Sequence, residues 1–295
     1  MERIFFEAAL ANGINAFDTA RVYMEAEHSF GNWLEKSGRR EEVVILSKCG
    51  HPDAMWNKRV NEKEMRKDLK KSLEELKTDY IDIYMLHRDD PDTEVAVAVE
   101  TFNAMHEEGN IGAFGASNWT HTRIEEANEY AYKHNLIPFS VSSPNFCLAR
   151  QVEDPWGGGC VNISGPENQE ARAWYEKNQM PVIAYASLGR GFFSGRMKSE
   201  YADHAGDYLD SFAMTGYACS DNFERLRRCE IIAEKHGVTV AQIAMNWIFS
   251  HPLNIFAIAS MSKADRMKAN REALLLQLSD EEIAYLNLET PEFCG

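Results

Sequence analysis

A parallel α/β fold of the (β/α)8 TIM-type barrel class is what this sequence predicts, and three observations carry that expectation. Short apolar runs alternate with longer amphipathic segments along the whole chain, the pattern of strand-helix-strand units around a parallel sheet. The runs are apolar nearly throughout, not at every second residue, as strands covered on both faces require. No Gly-x-Gly-x-x-Gly follows the first strand, so the fingerprint of the doubly wound sheet is missing and the barrel is favoured.

Taken in order, residues 2–12 read as a helix that stops at Gly13. Strands follow at Ile14–Phe17, Val43–Ser47, Ile81–Leu86, Ile111–Gly115, Phe139–Ser142, Val182–Tyr185 and Ile255–Ala259. Asn61-x-x-Glu64 has the form of a capping box opening a helix that ends near Lys77. Thr120 is placed to cap a helix running to His134, and Asp221 one running to Lys235 with Gly237 as its stop. Segments 93–108, 168–179 and 240–250 carry helical periodicity. Seven strands are visible where a closed barrel has eight, and the one lacking is the first. Either the start lies upstream or the chain is a natural fragment. Two barrel edges would then be unpaired, and an oligomer is one way to cover them. With no repeat or linker-like stretch, residues 1–295 are expected to form a single barrel domain, truncated at its N-terminus.

Composition excludes several function classes. Among the 295 residues, 46 are acidic and 31 basic, a formal charge of -15. Such a surface repels nucleic acid and anionic lipid, so a phosphate-bearing cofactor would need a local basic pocket. No apolar run approaches the length of a membrane span and no signal-peptide pattern opens the chain. The six cysteines show no Cys-x-x-Cys and no metal-ligand spacing. A soluble cytoplasmic protein with reduced thiols and no metal site is the expectation.

Polar residues stand where the strands end. Asp18 closes the first run, with Tyr23 on the loop beyond it. Lys48, His87 and Ser117-Asn118 close the next three. In a parallel barrel all these ends open on one face. Each residue alone also has a plain reading: Asp18 as a helix cap, Tyr23 as core, Lys48 as a side chain leaving for water, His87 as a buried core histidine. Four in succession point to one site. Hydride addition to a carbonyl leaves an alkoxide that needs a proton, hence a general acid. Tyrosine titrates near 10, and a neighbouring lysine held by a carboxylate lowers that value by stabilising the phenolate. A histidine orients the carbonyl oxygen. Tyr23, Lys48, Asp18 and His87 supply that set.

At these residues the chain resembles the aldo-keto reductases. The stretch Gly13-Ile-Asn-Ala-Phe-Asp-Thr-Ala-Arg-Val-Tyr23 is similar to the family segment bearing the catalytic Asp and Tyr. Leu46-Ser-Lys48, Asp79-Tyr-Ile-Asp-Ile-Tyr-Met-Leu-His87 and Gly112-Ala-Phe-Gly-Ala-Ser-Asn118 continue it in the family's order. The resemblance implies an NAD(P)H-dependent oxidoreductase reducing an aldehyde or ketone, with Tyr23 as acid, Lys48 and Asp18 as its tuning pair, and His87 orienting the carbonyl. It further implies that Ser117 and Asn118 bind the carboxamide and that Tyr185 stacks on the nicotinamide. Ser187, Leu188 and Gly191 in loop 188–195 and its approach would hold the pyrophosphate, and segment 258–270 the adenosine, with Arg266 and Asn270 matching the family's Arg-x-x-x-Asn.

Three positions depart from the family. Its first strand is missing. Ser260, followed by Met261, stands where a lysine often grips the 2′-phosphate, which leaves Arg266 as the residue favouring NADPH, with NADH as the other option. The glutamine that contacts the carboxamide is replaced within Ser142-Ser143-Pro144-Asn145, where Ser143 is the substitute expected. A catalytically impaired or regulatory nicotinamide-binding barrel, as among the family's channel-associated members, is the competing reading. Trp56 and Trp119 are placed to wall a substrate pocket. With His51-Pro-Asp and Arg88-Asp-Asp-Pro91 nearby, they suggest a sugar-like carbonyl compound, and the acidic dipeptide argues against a strongly anionic one. The segment 151–166, containing Trp156, reads either as an excursion over the site or as ordinary loop packing.

Overall fold

The computed structural model describes residues 2–260 and 264–291, in two compact units divided between Ser143 and Pro144. In the first, five parallel strands follow one another in chain order: β1 (Ala16–Asp18), β2 (Val44–Cys49), β3 (Ile81–Leu86), β4 (Ile111–Ser117) and β5 (Val141–Ser143). Phe17 lies opposite Ile45, Lys48 opposite Met85, Leu86 opposite Ala116 and Ser117 opposite Ser143. This register brings the C-terminal ends of β2 to β5 nearly level, while β1 ends opposite Leu46, short of the end of β2. Among the described residues β1 pairs with β2 alone.

Helix α1 (Glu2–Ala11) precedes β1, and α2 (Ala26–Ser37), α3 (Glu62–Leu76), α4 (Val95–Glu107) and α5 (His121–Lys133) fall between the strands. Phe6 of α1 stacks on Phe30 and Trp33 of α2 and meets Phe17 of β1 edge-on, tying the first helix to the sheet through aromatic contacts. The side chain of Asn61 accepts from the Glu64 N–H and that of Thr120 from the Arg123 N–H, as expected of caps. Glu64, however, turns its carboxylate to Arg59 and does not complete the box. Helix α2 was not foreseen, although Phe30, Trp33 and Leu34 stand at helical spacing and are buried. At Gly31 it meets α3 so closely that a Cβ would lie 2.0 Å from the Glu75 carbonyl; only glycine permits that approach.

In the second unit β6 (Val182–Ala184) and β7 (Ile255–Ala257) pair in parallel, Val182 opposite Ile255. Around them lie α6 (Gln169–Asn178), α7 (Ser211–Tyr217), α8 (Ser220–His236), α9 (Val240–Phe249), α10 (Ala264–Glu272) and α11 (Asp280–Leu286). Thr239 with Gln242 and Ser279 with Glu282 form complete capping boxes. Asp221 is not the cap of α8: Cys219 occupies that position without a side-chain bond, and Asp221 sits in the first turn, where its charge suits the helix dipole. Gly237 does end α8 in the left-handed conformation.

All seven expected strands are present, their limits moved by up to two residues. No helix of the described residues is long and apolar enough to cross a membrane, and no group of three or more metal-ligating side chains occurs among them.

Candidate active site

Asp18 ends β1, Lys48 is the last residue but one of β2, and His87 follows directly on β3. Beyond Asp18 the chain keeps pairing with β2 as it leaves the sheet. The Thr19 N–H donates to the Leu46 carbonyl and the Arg21 N–H to that of Lys48, and a turn then carries Tyr23 back. The four side chains meet. The Lys48 ammonium, 3% exposed, donates to Asp18 Oδ1 at 2.5 Å and to the Thr19 carbonyl at 3.0 Å. It stands 5.1 Å from the centre of the Tyr23 ring. The Tyr23 hydroxyl is 3.5 Å from His87 Nε2, with the two rings edge to face. That spacing is long for a hydrogen bond, and a carbonyl oxygen could bridge the two groups.

The electrostatics correct one expectation. Tyr23 is 42% exposed as a residue, yet crowding of protein atoms around its phenol raises its pKa above the ordinary value, and although Lys48 pulls the other way, Asp18 returns part of that effect. The lysine therefore restrains the upward shift and does not bring the tyrosine toward neutrality. Burial alone would lower Lys48, but Asp18 and then Tyr23 outweigh it and hold the ammonium charged. Burial pushes His87 well below the usual histidine range, helped by the charges of Lys48, His51 and Arg88. At neutral pH the site thus holds a protonated phenol, a neutral imidazole and a charged ammonium. That combination can donate a proton to a developing alkoxide while a ring N–H points the substrate oxygen.

Ser117 and Asn118 end β4. Asn118 has φ 61°, a left-handed backbone that asparagine tolerates better than most residues. Its amide donates to the His87 carbonyl and to Ser117 Oγ, both at 3.0 Å. Its N–H and the Ser117 hydroxyl both donate to the Ser143 carbonyl. The structure thus brings Ser117, Asn118 and Ser143 together and links them through Asn118 to His87.

Of the two tryptophans, Trp56 is half exposed and tilts toward His51, whose ring lies 4.9 Å from that of His87. Trp119 is 1% exposed, packed on Phe139 beneath the Arg123 guanidinium; its indole faces the interior of the unit and not an open mouth. The acidic dipeptide is engaged by cations, Asp89 by Arg123 and Asp90 by Lys58. The charge felt by Tyr23, His51 and His87 at that strand end is instead that of Arg88.

Sequence reading missed a buried support beneath the Tyr23 loop. Glu27, 1% exposed in the first turn of α2, accepts from the Arg21 guanidinium at 2.5 Å and from the Ser47 hydroxyl at 2.6 Å. Ser47 adjoins Lys48 and so faces the opposite side of β2. An acidic residue four positions after Tyr23, with a serine before the strand-end lysine, was the available signal.

In the second unit Tyr185 follows β6 and meets Trp156 edge-on at 5.7 Å. Ser187 is buried and donates to the Ala184 and Ile258 carbonyls. Leu188 and Gly191 belong to a run of tight turns in which Ala186, Gly189, Arg190 and Gly191 all have positive φ. A cleft of about 260 Å³ opens beside it, lined by Arg190, Gly191, Ser194, Arg196 and residues 207–210. Arg190 is paired with Asp210 there. Ser260 is exposed and Met261 lies outside the described residues. Arg266 is exposed and makes no ion pair among the described residues, and Asn270 is one turn further along α10.

The model of the Aldo/keto reductase family matches residues 3–288. The aldo-keto reductase str7 of Strobilurus tenacellus is 25% identical over 94% of this chain and 77% of its own length. Protein tas of Escherichia coli is 28% identical over 94% of this chain and 85% of its own. The solved structure of the thermostable aldo-keto reductase Tm1743, in complex with the inhibitor epalrestat, superposes with a TM-score of 0.71. It is 23% identical, and the match covers 97% of this chain and 86% of that one. The parallel strands and alternating helices are therefore those of the (β/α)8 fold of these reductases, with seven strands among the described residues.

Proposed function

Since the chain belongs to the aldo/keto reductase family, and is an oxidoreductase that uses a nicotinamide cofactor on carbonyl compounds, we propose that it reduces an aldehyde or ketone to an alcohol with Tyr23 as general acid and NADPH as cofactor. The observation that carries this reading is the meeting of Tyr23, Lys48, Asp18 and His87 at three adjacent strand ends. Reduced nicotinamide, when bound, supplies the hydride. The chain's part is to hold the carbonyl oxygen between Tyr23 Oη and His87 Nε2 and to deliver the Tyr23 proton to that oxygen as charge develops on it. Lys48 then stabilises the phenolate left behind, and Asp18 keeps Lys48 in place.

Each unit taken by itself holds groups of the kind a nicotinamide cofactor uses. In the first, Ser117, Asn118 and Ser143 form one linked polar group suited to a carboxamide; in the second, Tyr185 is an aromatic ring of the kind that stacks on a nicotinamide. Gly191, in the same run of turns as Ser187 and Leu188, lines a cleft that bears Arg190 and Arg196 together with Asp207 and Asp210. The exposed Arg266, which makes no ion pair among the described residues, suits with Asn270 and Ser260 an adenosine 2′-phosphate and favours NADPH over NADH. Trp56 and His51 form a mixed aromatic and polar wall beside His87, which suits a small sugar-like carbonyl compound. A purely regulatory barrel would have no need for the buried Lys48–Asp18 pair to face Tyr23.

The test is oxidation of NADPH by the purified chain with a reactive aldehyde, followed at 340 nm beside the Tyr23→Phe variant. Turnover in the parent and its near-loss in the variant is the expected result. Equal turnover in both removes Tyr23 from the mechanism.

A further inference from the structure

We propose that His51 is a specificity-determining residue: a fixed hydrogen-bond acceptor beside the carbonyl site that selects substrates carrying a hydroxyl next to the reacting carbon. The inference rests on the reductase reading of Tyr23 and His87 and narrows its substrate class.

Three observations lead to it. First, the tautomer of His51 is set by its own backbone neighbourhood. Nδ1 lies 2.9 Å from the Pro52 carbonyl, which can only accept, so Nδ1 carries the proton. Burial lowers this histidine's pKa, with Arg88 and Arg59 adding to the effect against the Pro52 bond, and the ring is neutral. Nε2 is then a bare lone pair, and it has no partner among the described residues. Second, the ring is close to the reacting centre, its centroid 4.9 Å from that of His87 in a T-shaped arrangement. An oxygen one carbon away from a carbonyl held by His87 falls within reach of such a neighbour. Third, the residue is clamped. Arg59 donates to the His51 carbonyl at 3.2 Å and is itself gripped by Asp68 and Glu64. The Gly50 N–H donates to the same buried Asp68. The His51 carbonyl is thus held through Arg59, and the preceding Gly50 N–H directly, by side chains of α3, and little ordering remains when a substrate binds.

A neutral lone pair in a pre-set position rewards a donor and gives nothing to a methyl group of the same size. One such bond corresponds to a preference of up to about tenfold.

The experiment compares kcat/KM for glycolaldehyde and propanal, which differ by hydroxyl against methyl, at saturating NADPH in the parent, His51→Phe and His51→Gln. Taking the ratio within each protein cancels any loss of folded enzyme. The parent is expected to favour glycolaldehyde by about tenfold, His51→Phe to bring the ratio close to one, and His51→Gln, which keeps an acceptor, to recover part of it. A parent ratio near one, or a preference undiminished in His51→Phe, overturns the proposal. Absence of turnover on both aldehydes by the parent overturns the reductase reading and this inference with it.

Discussion

In the first unit the strand-end residues Lys48, His87, Ser117 and Asn118 are at most 8% exposed, and each is tied to a backbone carbonyl or gives its own carbonyl to a neighbour. In the second unit the residues read as gripping the cofactor lie on turns of positive φ and on a surface helix, with Arg266 exposed and Arg190 held by a half-exposed Asp210. The contrast separates two tasks. Proton transfer needs groups fixed before the substrate arrives. Holding a long flexible cofactor tolerates side chains that settle around it. Substitutions in the first set should therefore change turnover and stability together, and those in the second should change cofactor affinity alone.

The largest effect is expected at Tyr23, which at 42% exposed stands outside that buried set. Replacement by Phe should lower kcat by roughly 10²–10⁴ while chemical denaturation stays within about 0.5 kcal/mol of the parent. Next comes Lys48→Met, which strands the Asp18 carboxylate. We expect a loss of about 3 kcal/mol in denaturant titrations and a fall in kcat of about 10². Glu27→Gln follows. It removes the charge that Arg21 and Ser47 share beneath the Tyr23 loop, and should cost about 2 kcal/mol. Turnover should drop by about tenfold with KM nearly unchanged, because the residue positions the acid without meeting the substrate. A pure KM effect in Glu27→Gln would break the comparison. Arg266→Ala should raise KM for NADPH by about tenfold, with KM for NADH, kcat and stability unaltered.

The smallest and most graded effect is that of pH. His87, His51 and His251 all have pKa values lowered chiefly by burial. Below about 6.5 the unfolded chain takes up protons that the folded protein refuses, so stability should decline as pH falls through that range, by at most about 1.4 kcal/mol per unit for each histidine. Above it these groups are neutral in both states and contribute no slope. Thermal melts at pH 7.5 and 5.5 check this. Tyr23 keeps its proton through neutrality, since its pKa is raised, and kcat/KM for reduction should be level from pH 6.5 to 9. A fall already beginning near pH 8 would show that Lys48 outweighs burial.

How much of this was legible follows from the same physics. The strands were readable because continuous apolar runs have few alternatives in a parallel sheet, and β3 agreed residue for residue. Asp18, Lys48 and His87 were readable because they interrupt those runs at one end. Helix α2 was missed because it begins within three residues of Tyr23, where the polar stretch Glu-Ala-Glu-His resembles loop. The net upward shift of Tyr23 was not legible at all. It depends on how deeply the hydroxyl is enclosed, which neighbours in sequence do not encode. For the same reason Trp119, one residue from Asn118, was read as pocket wall when its ring packs on Phe139.

Asn118 joins three strand ends at once: its side chain to the carbonyl after β3, its own position to β4, its N–H to β5. In hydrogen-exchange terms this makes the floor of the site part of the sheet's own cooperative unit. Its amide proton has no local opening that frees it without parting β4 from β5, and should exchange as slowly as those of the strand interiors. The site would then not fray ahead of the protein, and partly active, partly melted states should be scarce on the way to unfolding.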